Sequence, residues 1–125
     1  MPLVEIIALA QPTEVDIPTV LDRVALATAS AMGCDPGAVW VTWRTLEPGH
    51  YSVRGETPEA QPRGSHDPIA RISAFYGRSE ETIAGTLEAI ARSLAGSLGL
   101  DASCVFVVYD EIAPGRVFTG GAVRT

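Results

Sequence analysis

The hydrophobic pattern of this chain starts, runs for about half its length and starts again. Pro2 to Ala10 is apolar apart from Glu5, which predicts a buried strand. Gln11 to Val15 reads as a turn. Asp16 is placed to cap a helix running through Met32, with Pro18 tolerated in its first turn. Ile17, Val20, Leu21, Val24, Ala27 and Ala31 lie near one face of that helix, and Gly33 is placed to end it. Ala38 to Leu46 predicts a second strand, in which Val39, Val41 and Trp43 alternate with Trp40, Thr42 and Arg44. Glu47 to Asp67 is rich in Pro, Gly and charge, and its middle, Thr57 to His66, reads as a linker.

From Asp67 the pattern repeats. Asp67-Pro68-Ile69-Ala70-Arg71-Ile72 opens a third strand reaching about Tyr76. Ser79 is a helix cap, and Glu80 and Glu81 suit a helix N-terminus because carboxylates oppose its positive dipole end. Ile83, Leu87, Ile90, Leu94 and Leu98 form the expected buried stripe, stopped by Gly99. Ser103 to Ile112 predicts a fourth strand, and Pro114-Gly115 and Gly120-Gly121 mark a turn and a short hairpin.

The halves align without a gap at an offset of 66 residues, the separation of Pro2 from Pro68. Ile6 meets Ile72, Leu21 meets Leu87, Gly33 meets Gly99, Asp35 meets Asp101, Val41 meets Val107, and Pro48-Gly49 meets Pro114-Gly115. Helix and strand periodicity alone would not place the strand-opening proline, the helix-stopping glycine and the Pro-Gly turn in one register. The expectation is one α+β domain over 1–125: repeat 1 about 2–56, linker about 57–66, repeat 2 about 67–125. A crossover helix makes the strands of each unit parallel and the crossover right-handed. Two units then give a four-stranded mixed sheet with both helices on one face. The other face, expected to be apolar or aromatic with Trp40, Phe106 and Val108 on it, needs a cover. Self-association as a homotrimer with the sheets facing inward supplies one.

Composition narrows the partners. The chain is 46% hydrophobic and 19% charged, with a net charge of −6. That balance argues against nucleic acid or an anionic membrane as partner, but not against a small anion held by local arginines. Lysine is absent, so all 9 basic side chains are arginines, which bind carboxylates in a planar, bidentate way. High-GC coding bias accounts for the same fact. No signal peptide or membrane span is evident, so a reduced cytoplasmic protein with two structural thiols, Cys34 and Cys104, is expected. His50 and His66 stand alone, and no metal spacing is present.

Met1-Pro2-Leu3-Val4-Glu5-Ile6 resembles the start of the tautomerase superfamily. Pro68-Ile69-Ala70-Arg71-Ile72, Gly77-Arg78-Ser79-Glu80-Glu81, Glu111-Ile112-Ala113-Pro114-Gly115 and Gly120-Gly121 resemble the 4-oxalocrotonate tautomerase subunit along nearly its whole length. Pro48-Gly49-His50-Tyr51 is similar to that subunit's Gly-His-Phe segment. The resemblance covers the chain except the linker. It implies a trimer of fused β-α-β units, no cofactor, and Pro2, freed of Met1, as general base or acid. A secondary amine in an apolar pocket has its pKa lowered by desolvation and by nearby arginines, and a base tuned toward neutrality can move a proton alpha to a carbonyl. Pro68 has an amide nitrogen and cannot act in this way.

The resemblance also implies that Arg78 binds the substrate carboxylate and that Tyr51 occupies the family's pocket-phenylalanine position. Trp40 and Phe106 stand where the family has a carbonyl-polarising arginine, which makes the expected pocket more apolar. Arg44, on the strand face of Trp40, is the candidate stand-in. Arg71 and Arg116 read as surface residues and His50 as a turn residue. Three functions are in view: tautomerisation of a small 2-keto or enol acid, hydration, dehalogenation or decarboxylation of a short carboxylic acid on the same site, and a non-catalytic trimeric scaffold in which Met1 is retained and Pro2 is an amide.

Overall fold

A computed structural model describes residues 1–125. The order is β1 (Leu3–Ala8), α1 (Ile17–Met32), β2 (Trp40–Thr45), β3 (Ile69–Phe75), α2 (Glu80–Leu98), β4 (Phe106–Ile112) and a small hairpin, β5 (Phe118–Thr119) with β6 (Ala122–Val123). The main sheet has the order β2-β1-β3-β4. β1 runs parallel to β2 and β3 parallel to β4, while β1 and β3 meet antiparallel. This is the mixed four-stranded sheet expected of two fused β-α-β units.

The repeat is exact in its pairing. Leu3 lies opposite Trp40, and their counterparts Ile69 and Phe106 lie opposite each other. The Trp40 N–H donates to the Pro2 carbonyl at 2.9 Å, and the Phe106 N–H to the Pro68 carbonyl at 3.0 Å. The lead-in to each second strand is also duplicated. Asp35 accepts from the Gly37 N–H at 2.8 Å and Asp101 from the Ser103 N–H at 2.9 Å, each opening a short 3₁₀ turn, Pro36–Ala38 and Ala102–Cys104. Those turns take residues that the apolar pattern assigns to strand, so β2 and β4 begin later than expected.

Local chemistry explains both helix ends. The Ser79 hydroxyl accepts from the Thr82 N–H at 3.1 Å at the start of α2, satisfying an otherwise orphaned donor. Gly33 and Gly99 follow the helices at φ 70° and 69°, the left-handed conformation that a residue without Cβ adopts freely. Asp16 sits at the start of α1, but its carboxylate takes the Thr19 hydroxyl rather than a backbone N–H.

Val4, Ile6, Ala70 and Ile72 from the central strands pack with Val24, Ile90 and Leu94 from the helices to form the core. The alternation is strict: Val4, Ile6 and Ala8 are buried while Glu5 between them is exposed. Both helices therefore cover the same face. Their buried stripes include two polar residues that hydrophobicity does not reveal. Thr28 and Thr86 are fully buried, and their hydroxyls donate to the carbonyls of Val24 (2.7 Å) and Thr82 (2.8 Å) one turn back, which removes the cost of burying them.

The opposite face is uncovered within one chain. Trp40 and Phe106 stand on it 53% and 56% exposed, and Val108 belongs to it by alternation with Val107 and Tyr109, which pack on the core. The expectation that this face is apolar fails most plainly at four charged positions. Glu5, Arg44, Arg71 and Asp110 also lie on it, alternating with core-facing neighbours.

The connection between the repeats is tied to the body. The Gln61 N–H donates to the Ala10 carbonyl at 2.9 Å, and the Gln11 side chain to Gln61 Oε1 at 3.1 Å. His66 is 3% exposed, with Nε2 2.9 Å from the Glu56 carbonyl and Nδ1 2.9 Å from the Ser65 hydroxyl. A carbonyl only accepts, so Nε2 donates to it, and both ring nitrogens have a partner.

Candidate active site

The antiparallel meeting of β1 and β3 decides which predicted residues share an end of the sheet. Leu3 pairs with Ser73, so Pro2, one residue earlier, lies beside the C-terminal end of β3. Pro2 is buried. Trp40, at the start of β2, covers the same end through its bond to the Pro2 carbonyl. β3 ends at Phe75, and the chain turns through Tyr76-Gly77-Arg78 before Ser79 caps α2. Gly77 takes φ 108° in this turn, a conformation that a side chain would strain.

Arg78 is half-buried. Its Nη1 donates only a long bond, 3.4 Å, to the Phe75 carbonyl, so most of the guanidinium's capacity is uncommitted. The Tyr109 phenol is beside it. Burial pushes the Tyr109 pKa up, and the positive charge of Arg78 opposes the rise. The buried Tyr109 hydroxyl has no partner at full hydrogen-bond geometry, and the nearby guanidinium opposes the rise both as a charge and as a weak donor.

Tyr51 and Phe106 lie at the opposite end, with Pro68. The Tyr51 hydroxyl donates to the Asp67 carbonyl at 2.8 Å, and its ring meets His66 edge-on at 5.0 Å. They line an open cavity of about 600 Å³ with Arg54, Glu56, His66 and Asp67. Burial raises the Tyr51 pKa and the Asp67 charge raises it further. Trp40 and Phe106, equivalent in the repeat, are on the two edge strands and at opposite ends, so one chain does not bring them together. Arg44 shares the open face with Trp40, but four residues of strand separate them by about 13 Å. It aligns instead with Ile7 and, across the sheet, Ile69 and Phe106.

Hydrophobic and motif reasoning missed Tyr109 and His66. Tyr109 read as one more apolar strand residue; its offset partner Trp43 donates from Nε1 to the Thr45 hydroxyl at 3.0 Å, whereas Tyr109 has Arg78 beside it. His66 lay in a segment whose composition resembles a tether. No group of His, Cys, Asp or Glu is arranged to hold a metal, both cysteines are unpaired, and no helix is long and apolar enough to cross a membrane.

The raised tyrosine pKa values fix a sign for alkaline behaviour. A group whose pKa is raised on folding holds its proton more tightly in the folded state. Its stability contribution is complete below the unfolded value, about 10, and is lost as pH rises from there through the folded value. The urea midpoint of the wild type should fall above pH ~10. Tyr109→Phe should flatten that fall and leave the neutral-pH midpoint unchanged or higher, since it removes an unpaired buried hydroxyl.

No protein-family model and no curated protein sequence matches the chain. Solved structures do match. A fused 4-OT wild-type symmetric trimer is 19% identical over 98% of this chain and 94% of that one, with a TM-score of 0.83. A fused 4-OT wild-type asymmetric trimer is 15% identical over 97% and 94%, with a TM-score of 0.86. Malonate semialdehyde decarboxylase, described with decarboxylase and hydratase activities, is 21% identical over 94% and 90%, with a TM-score of 0.72. Two β-α-β units joined in one chain, sharing a β2-β1-β3-β4 sheet and matching these structures along nearly their whole length, are the fused tautomerase fold.

Proposed function

We propose that the chain is a cofactor-free tautomerase of small 2-keto or enol acids, working as a homotrimer with Pro2, freed of Met1, as general base and acid. The observation that carries this reading is the placement of a buried Pro2 and the half-buried, uncommitted Arg78 at one end of the sheet. Removal of Met1 turns the Pro2 amide into a secondary amine. Burial disfavours its ammonium form, and the charge of Arg78 does the same, so both lower its pKa toward neutrality. The amine then takes the proton of an enol hydroxyl. The resulting ammonium returns a proton to carbon as the carbonyl forms, with no net proton gained or lost. Arg78 holds the carboxylate by paired N–H donors, and Trp40 forms an apolar wall.

The trimer has a chemical role in this reading. Tyr51, Phe106 and Arg44 lie away from the Pro2 end of their own chain, so they reach a Pro2 only from a neighbouring subunit. The likeness to fused 4-OT trimers supports that assembly, and the uncovered sheet face calls for it. A second reading, hydration, dehalogenation or decarboxylation of a short carboxylic acid at the same site, is favoured by the likeness to malonate semialdehyde decarboxylase. Ketonisation of phenylenolpyruvate and 2-hydroxymuconate, set against product analysis with 3-haloacrylates and malonate semialdehyde, separates them. Turnover confined to the enols supports tautomerisation, and turnover confined to the other two substrates overturns it.

A further inference from the structure

The hairpin turn that follows β2 departs from its own counterpart in the repeat. Val53 and Glu56 exchange backbone hydrogen bonds at 3.1 and 3.0 Å around Arg54-Gly55. The counterpart turn pairs Thr119 with Ala122 around Gly120-Gly121. Both central residues take positive φ in each turn, 53° and 80° in the first and 62° and 87° in the second. Glycine enters this tight hairpin geometry freely, and a side chain enters it at a cost. The second repeat meets the requirement with two glycines, whereas the first places an arginine there. His66 is the other non-glycine residue at positive φ, 52°. Arg54 and His66 both line the cavity of about 600 Å³ at the Pro68 end. Strain held in two residues around one cavity points to a task for that cavity.

The charges around the cavity indicate what it takes. Arg54, Glu56 and Asp67 all border it, yet none of them is in an ion pair; the chain's ion pairs join Glu47 with His50 and Arg71 with Asp110. One positive and two negative groups thus face the same space unpaired. The two carboxylates disfavour a plain anion, and the guanidinium disfavours a plain cation. A ligand that carries both signs satisfies both. Much of the remaining wall is apolar, with Phe106 56% and Val53 37% exposed and Ile69 beside them. This end holds no counterpart of the Pro2 amine, because the Pro68 nitrogen is an amide, and both ring nitrogens of His66 already have partners. The cavity is therefore equipped to bind rather than to move a proton by the Pro2 route.

We infer that this cavity is a second ligand site, for an α-amino acid with an apolar side chain. Arg54 receives the ligand's carboxylate through paired N–H donors. Asp67 and Glu56 face its ammonium group, and Phe106 and Ile69 meet its side chain. Opposite charges held apart in the ligand match opposite charges held apart in the wall, so each end of the ligand contributes to binding. The strain at Arg54 is offset when the ligand is held. The inference goes beyond the tautomerase reading, because it uses three charged residues that the proposed chemistry leaves idle, all supplied by one chain. The two kinds of ligand are related in structure: an α-amino acid is a 2-keto acid with the carbonyl replaced by an amine.

The test is calorimetric titration of the full-length protein with phenylalanine and leucine, alongside phenylacetate, which lacks the ammonium group, and phenethylamine, which lacks the carboxylate. Both amino acids should bind, and each analogue should bind at least ~10-fold more weakly than phenylalanine. Arg54→Gly should weaken amino-acid binding by about 10- to 100-fold. It should also keep the thermal midpoint at or above that of the wild type, since glycine is the residue of the counterpart turn. The pair Glu56→Gln, Asp67→Asn should weaken phenylalanine and strengthen phenylacetate, because it removes the negative wall. Arg78→Ala, which disables the carboxylate clamp at the other end, should keep the same binding profile. Failure of both amino acids to bind overturns the inference, as does phenylacetate binding as tightly as phenylalanine. A lowered midpoint in Arg54→Gly assigns the arginine to the fold and overturns it too. Loss of binding in Arg78→Ala places the amino acid in the Pro2 site and has the same consequence. Failure of the tautomerase reading is distinguished from these outcomes, since it appears as absent enol turnover with amino-acid binding intact.

Discussion

Replacing Pro2 by alanine is expected to slow enol ketonisation by roughly 10²- to 10⁴-fold, the usual contribution of a positioned acid or base. Alanine at the second position still permits removal of Met1, so the variant retains an amine terminus. It loses the ring that fixes the nitrogen at the strand end and the secondary amine itself. The fold should survive, because the strand pairing at this point uses the Pro2 carbonyl, which receives the Trp40 N–H at 2.9 Å, and alanine supplies the same carbonyl. The checks are steady-state ketonisation of phenylenolpyruvate together with thermal unfolding and sedimentation. A variant with unchanged rate would remove Pro2 from the chemistry, and a variant that has lost the trimer would assign it to structure.

Arg78→Ala is expected to lower kcat/KM by about 10- to 100-fold, which corresponds to the roughly 1.5–3 kcal/mol carried by hydrogen bonds to charged groups. The loss should appear mainly in KM, since a carboxylate clamp binds the ground state and the transition state alike. Stability should change little, because the side chain's one bond within the chain is the long 3.4 Å contact to the Phe75 carbonyl. Arg78→Lys should recover only part of the loss, because an ammonium cannot reproduce two parallel donors. The control is the exposed Arg116, whose Nη1 makes only a long bond to the adjacent Gly115 carbonyl at 3.4 Å; Arg116→Ala should leave KM unchanged.

The fold was legible because the duplicated features are local. A proline before a strand, a glycine after a helix and an aspartate before a 3₁₀ turn each act within a few residues, and the same residues recur at the same spacing. Gly33 and Gly99 show this most directly, with nearly equal φ values of 70° and 69°. Long-range facts were less legible. Thr28 and Thr86 are polar in composition and buried in fact, because a helical threonine can satisfy its own hydroxyl one turn back. Glu5, Arg44, Arg71 and Asp110 alternate correctly for an outward face, but their relation across the sheet depends on the register of β1 with β3, which neither repeat encodes alone.

The site was legible only as a set of residue types. The pairing of β1 with β3 puts Arg78 at the Pro2 end and Tyr51 at the Pro68 end, so the two repeats contribute unequally to each end. Trp40 and Phe106 read in sequence as one aromatic pair. In space they are the two poles of a pseudo-symmetric sheet. The segment 57–66 read as a tether from its two prolines and Gly64, while Gln61 and His66, whose bonds reach Ala10 and Glu56, hold it against the body.

The central claim is that a free secondary amine at Pro2 does the chemistry. The most direct measurement compares enol ketonisation by two preparations whose intact masses establish the terminus, one beginning at Pro2 and one retaining Met1. The folded trimer should be the same in both. The Pro2-terminated protein should turn over phenylenolpyruvate at least ~10²-fold faster than the protein that retains Met1, in which the nitrogen is an amide and has no basicity to offer. Equal rates in the two preparations would contradict the account.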